Sequence, residues 1–184
     1  GIPPHIGLVD SADGVRWEEV ALTGVADFHA LAANGDRIYG WDSVNGRFLA
    51  SDDAGESFSA RSAPEALHWL AVDPEDPEHV LGASEAMLYA SADGGRSWRS
   101  LERGGGLLTW PTGGDAVLLE YGSGRVLRSP DGRGWSSVGT TPFDDAVALT
   151  ASGETTLAAA TQGGQVWVSD DAGASWSERA SVSE

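Results

Sequence analysis

Ser91-Ala92-Asp93-Gly94-Gly95-Arg96-Ser97-Trp98 places a short carboxylate, two glycines, two hydroxyls and a large ring within eight residues. Such a set predicts a tight hairpin turn. The Asp side chain accepts hydrogen bonds from nearby backbone N–H groups, and glycine supplies the positive φ that closes the loop. The aromatic residue is expected to begin the next strand and tuck its ring under the turn, shielding those bonds from water. On either side the chain reads as strands: His68 to Asp73 and His79 to Ala83 upstream, Met87 to Ser91 leading in, and Ser97 to Leu101 leading out.

The same set recurs along the whole chain. Asp13 with Trp17, Asp53 with Phe58, Asp131 with Trp135 and Asp171 with Trp176 repeat the pattern, at steps of 40, 40, 38 and 40 residues between successive aspartates. The copies at Asp13 and Asp131 are one residue shorter between carboxylate and ring, which predicts tighter versions of the same turn. Strands are expected around each copy: Phe28 to Ala32, Arg37 to Trp41, Gly46 to Ser51 and Ser57 to Arg61; then Leu107 to Trp110, Ala116 to Tyr121, Arg125 to Ser129 and Gly134 to Val138; then Ala146 to Ala151, Thr155 to Ala160, Gln165 to Ser169 and Ser175 to Arg179. Four strands in each unit of roughly 40 residues is the pattern of a β-propeller blade.

Ahead of Asp13 there is room for one strand, Ile6 to Asp10, so the first unit supplies only the outer half of a blade. The expected fold is all-β, a β-propeller of four-stranded antiparallel blades with about four complete blades plus a half blade. Its divisions fall at 1–24, 25–64, 65–104, 105–140 and 141–184. An unpaired strand edge and an uncovered apolar face favour a partial ring over a closed ring of five. The remaining blades of a six- to eight-bladed ring are then expected from the parent chain or from another chain.

Composition agrees with many short strands and tight turns: 25 Gly, 8 Trp and no Cys in 184 residues, with no window of helical apolar periodicity. The net charge is −17, and all eleven basic residues are arginine. Such a surface repels phosphate backbones and anionic lipid headgroups, so nucleic-acid binding is not expected. No apolar stretch reaches the 18 residues of a membrane span, so direct membrane insertion of this chain is not expected either.

The repeated motif resembles the Asp-box, or BNR, repeat of sialidase-like propellers, sortilin-type receptors and photosystem assembly propellers. Three further stretches, Pro3-Pro4-His5-Ile6-Gly7-Leu8, Asp27-Phe28-His29-Ala30-Leu31 and Arg37 to Arg47, are similar to actinobacterial secreted Asp-box proteins, often lipid-anchored, that carry the label "glycosylhydrolase". The resemblance implies that the box residues are structural and lie away from the central axis. It also implies a place outside the cytoplasm, secreted or lipid-anchored at the cell envelope.

Propellers place function where one loop from each blade converges, at the mouth of the channel. That directs attention to the first strands, where His29 and His68 occupy equivalent positions, and to the connections between second and third strands, which carry Asp42 and Asn45, Glu85, and Glu120 with Tyr121. Two histidines are a weak metal signal, and a packing role imposed by the repeat competes with it; no metal and no cofactor is expected. The connections make a polar, acidic mouth suited to a sugar, a cation or a basic peptide, or are simply solvated turns. A sialidase-like hydrolase would need an arginine cluster and a Tyr–Glu pair. Arg47 and Arg125 recur at one repeat position rather than converging, and alternation sends Glu120 and Tyr121 to opposite faces. Asp73-Pro74-Glu75-Asp76-Pro77-Glu78 reads as the turn between first and second strands, and Gly104 to Gly106 as a blade linker. The expected function is a non-catalytic propeller that binds a protein or glycan partner. The alternatives are a sialidase-like glycoside hydrolase and an assembly or scaffold subunit of a membrane-associated complex.

Overall fold

The computed structural model describes residues 5–181, and within them every regular element is a strand. A two-stranded sheet comes first, β1 (Leu8–Asp10) with β2 (Glu18–Ala21). Four four-stranded sheets follow. They are β3 (Phe28–Asn34), β4 (Arg37–Asp42), β5 (Arg47–Ser51) and β6 (Ser59–Arg61); β7 (Trp69–Val72), β8 (Val80–Ala83), β9 (Leu88–Ser91) and β10 (Arg99–Ser100); β11 (Gly106–Thr109), β12 (Ala116–Glu120), β13 (Arg125–Ser129) and β14 (Ser136–Thr140); and β15 (Ala146–Ser152), β16 (Thr156–Thr161), β17 (Gln165–Ser169) and β18 (Ser177–Ser181). Each sheet is an antiparallel meander in sequence order. The first strands β3, β7, β11 and β15 lie beside one another. These are the blades of a β-propeller, stacked around their inner strands.

The core consists of the layers between sheets. One joins Ala30, Tyr39, Phe48 and Ala50 to Leu70, Val72 and Val80 of the next sheet; a second joins Leu81, Leu88 and Ala90 to Leu108, Leu118 and Leu127; a third joins Leu107, Val117 and Val126 to Leu149, Leu157 and Ala159. A middle blade is therefore covered on both faces, and β8 and β12 are buried at every residue. That explains the unbroken apolar run Ala116-Val117-Leu118-Leu119, which lacks the alternation of a half-exposed strand. In β16, of the last sheet, buried and half-buried residues alternate.

The repeated turns are built on two side chains. In the copy at Asp93, one carboxylate oxygen accepts from the backbone N–H of Arg96 (3.0 Å) and Ser97 (2.8 Å), and the other accepts from the Ser97 hydroxyl at 2.6 Å. Ser91 adds a second staple: its hydroxyl donates to Asp93 (2.8 Å) and accepts from the Gly95 N–H (2.8 Å). The copies at Asp53 and Asp171 keep both staples, except that the N–H groups of Glu56 and Ala174, in the place of Arg96, donate to the aspartate's backbone carbonyl instead of its carboxylate. The shorter copies at Asp13 and Asp131 keep two backbone donors to the carboxylate, and their loops contain no second serine to bind it.

Two expectations about the turns need correction. The aromatic residue does not begin the following strand; Trp17, Phe58, Trp98, Trp135 and Trp176 each sit immediately before it, because the carboxylate's bonds hold the preceding residues in the turn. Nor does every ring tuck in. Trp135 is 8% exposed but Trp17 is 62% exposed. Trp98 meets Phe48 of the preceding sheet edge-on, centroids 5.3 Å apart, and no sheet precedes β1 and β2 among the described residues to receive Trp17 in that way.

A candidate binding mouth at the inner strand ends

The connections between second and third strands are fastened by a repeated side-chain clasp. Asp42, fully buried at the end of β4, accepts from Arg47 Nε at 2.9 Å, from Asn45 Nδ2 at 2.8 Å and from the Asp27 N–H at 3.2 Å. Burial alone would raise this carboxyl's pKa; the hydrogen bonds from Asn45 and Arg47 outweigh it and hold the group below its ordinary value. Glu120, at the end of β12, repeats the device. Its oxygens accept from Arg125 Nε (2.9 Å), Arg125 Nη2 (3.2 Å) and the Ser123 hydroxyl (3.1 Å), and the hydrogen bond to Glu120 raises the Arg125 pKa. Thr161 and Gln165 bond to each other across the corresponding turn of the last sheet. In the remaining sheet the Ser84 hydroxyl accepts from the Ala86 and Met87 N–H groups at 3.1 and 3.0 Å. The arginines at the start of β5 and β13 are thus partners of a local carboxylate. Arg47→Ala is expected to cost about 1–2 kcal/mol, less than a fully buried pair would because Arg47 is part-exposed and Asp42 keeps two other donors; urea unfolding of the variant measures it.

Four of the sequence-selected residues meet in one place. His29 from β3, His68 beside the start of β7, Glu85 from the β8–β9 turn and Tyr121 following β12 line an open depression of about 550 Å3 together with Trp69. Asp42 and Asn45 are not in its lining; the Asn45 amide donates to Asp42 and to the Val25 carbonyl. His29 reaches the mouth because the β3–β4 register shifts between Phe28 and Ala30, a bulge that re-aims the residue between them. The Trp69 indole N–H donates to the Tyr121 hydroxyl at 2.5 Å, joining two sheets across 52 residues of sequence. Burial raises the Tyr121 pKa, the Trp69 bond opposes that, and the Glu85 charge adds to the rise. Glu120, by contrast, turns away to its arginine, so the neighbours Glu120 and Tyr121 serve different places.

Trp69 was not singled out from sequence. It resembled an ordinary core aromatic at a strand start, and its role depends on a partner two connections away. Nor was the convergence of three arginines: Arg37, Arg61 and Arg96 surround Asp52 and Glu78 on the side of the repeated turns. These charges are largely matched, and the hydrogen bond to Asp52 is the main cause of a raised Arg37 pKa. On the same side, Asp73 and Asp76 accept from the N–H groups of Glu75 and Glu78 at 2.9 and 3.1 Å, which makes 73–78 a self-stapled turn. Among the described residues no group of three or more His, Asp or Glu side chains is arranged to hold a metal ion.

No family model matches the sequence, and no curated protein matches it either. Solved structures do resemble it. A GH74 enzyme from Niastella koreensis superposes with a TM-score of 0.64 at 18% identity, over 80% of this chain and 23% of its own. The GH74 xyloglucanase of Xanthomonas campestris gives 0.60 at 18% identity, over 91% of this chain and 33% of its own. YCF48 bound to D1 peptide gives 0.58 at 16% identity, over 90% of this chain and 57% of its own. The chain therefore spans less than two thirds of each of these proteins, and the likeness at these identities establishes the propeller fold.

Proposed function

We propose that this chain is part of a non-catalytic Asp-box propeller that binds a protein or glycan partner at the mouth formed by His29, His68, Trp69, Glu85 and Tyr121. The observation that carries this reading is the convergence of those side chains from three successive sheets, while the carboxylates that end β4 and β12, Asp42 and Glu120, are committed to clasps. A Trp–Tyr pair with one face toward solvent is the kind of surface that dominates binding energy. The fold neighbours are compatible with it: one was solved with a bound peptide and two are glycoside hydrolases. By its resemblance to secreted Asp-box proteins, the working place of the protein is the cell envelope, with further blades supplied by the parent chain or another chain.

Capture of a partner from envelope extract, followed by a titration with purified components, tests the reading. Tyr121→Ala is expected to weaken binding by roughly thirtyfold, the scale of an aromatic hot spot, and Glu75→Ala, on the opposite side of the sheets, should leave it unchanged. Unaltered affinity in Tyr121→Ala and Trp69→Ala would contradict the assignment. The hydrolase alternative predicts turnover of fluorogenic sialosides or xyloglucan that is lost in Glu120→Gln or Tyr121→Phe; we expect no turnover from the unaltered chain.

A further inference from the structure

The lining of the mouth is specific about charge. No arginine belongs to it, whereas Glu85 is an exposed carboxylate within it. Two more acids stand at its edge. Asp27 lies 3.2 Å from His29, and Glu65, which accepts from the Tyr89 hydroxyl at 2.6 Å, lies near His68. The walls are the electron-rich rings of Trp69 and Tyr121, whose polar atoms are already joined to each other. An anionic ligand would meet carboxylates and no arginine. A neutral sugar would find one of the two ring donors already engaged. A cation finds a carboxylate and the faces of two aromatic rings.

Resting on the assignment of the mouth as the binding site, we infer that it takes a cationic side chain of a polypeptide partner, an arginine or lysine, with Glu85 opposite its charge and Trp69 and Tyr121 along its flank. The net charge of −17 draws such a segment toward the protein. The mouth supplies what a diffuse acidic surface lacks, a geometry in which the charge and the rings act on one group.

The test follows the Trp69 indole N–H resonance, assigned through Trp69→Phe, while blocked tripeptides Gly-Arg-Gly, Gly-citrulline-Gly and Gly-Glu-Gly and the neutral sugar cellotetraose are added to the full chain. The arginine peptide is expected to shift the resonance saturably, with citrulline, its uncharged near-isostere, having no effect. Glu85→Gln should weaken the response roughly fivefold, the scale of one exposed charge contact, and Glu75→Gln should not. Equal binding of the citrulline peptide, or equal loss in both Glu variants, would overturn the inference. A saturable response to cellotetraose without one to arginine would also overturn it while leaving the mouth a binding site, and silence toward every probe would count against both.

Discussion

Gly95→Ala is expected to lower the thermal unfolding midpoint by roughly 10 °C, the equivalent of about 3 kcal/mol in a domain of this size. Two costs combine. Gly95 has φ of +81°, outside the region an alanine occupies without strain, and a Cβ there would come 2.2 Å from Phe48 Cε1 in the preceding sheet. Phe48 is fully buried between Tyr39 and Trp98 and has nowhere to go, so the overpacking falls on the core. The same notch recurs. A Cβ at Gly55 would meet Leu8 at 2.6 Å and one at Gly173 would meet Val126 at 2.6 Å, each three residues before the serine of the preceding copy. In those two copies the residue just before the glycine carries a Cβ without such a clash: Ala54 and Ala172 hold φ of +57° and +62°. Gly35→Ala is the control, since its φ is +57° but nothing lies within 4 Å of the added carbon. That variant should lose only about 1 kcal/mol, roughly 3 °C. Equal losses at positions 35 and 95 would refute the notch and leave only a backbone effect.

Acid should weaken the protein in the window between pH about 4 and about 2, through the repeated turns. The hydroxyls and N–H groups of Ser57, Ser97 and Ser175 bring the carboxyls of Asp53, Asp93 and Asp171 down to about 2. A group with a depressed pKa in the folded state contributes stability that is complete above its unfolded value, near 3.8 for these aspartates, and is lost as pH falls toward the folded value. Three such turns in one chain should give a steep decline, which urea midpoints across that range would measure. Asp93→Asn should lower stability at pH 7 and reduce the slope, because one of the three groups no longer titrates. Asp131→Asn should reduce it less: that carboxyl is lowered by the Gly134 and Arg133 N–H groups, and its loop has no serine to bind it. A flat stability profile between pH 4 and 2, or an unchanged slope in Asp93→Asn, would contradict the account of these turns.

What was legible in the sequence was local. The carboxylate, glycine and ring of each turn lie within eight residues, so their chemistry identifies the hairpin, and the forty-residue step then implies the blade. The alternation that separates neighbours such as Glu120 and Tyr121 could also be read directly. What was hidden lies between sheets. The glycines carry a second role as notches, but Gly95 and Phe48 are far apart in the chain. The Trp69–Tyr121 bond spans 52 residues, so nothing near Trp69 marks it as anything but a core aromatic. Asp42 and Asn45 looked available because a loop carboxylate and amide are usually solvated, whereas Arg47, five residues after Asp42, engages that carboxylate directly. The serine preceding each aspartate was visible as part of the motif, but its role as acceptor for the glycine N–H emerged only from the turn geometry.

With the mouth as the proposed binding site, a partner is expected to meet the end of the sheets bearing His29, Trp69 and Tyr121, not the end bearing the repeated turns. Site-specific photo-crosslinking measures this most directly, with a benzophenone side chain placed at exposed Ala86, in the β8–β9 turn, or at exposed Glu75, in the β7–β8 turn. The expected result is a stoichiometric crosslinked partner from position 86, abolished by Tyr121→Ala, and none from position 75. Crosslinking from position 75 alone, or from position 86 with no sensitivity to Tyr121, would contradict it.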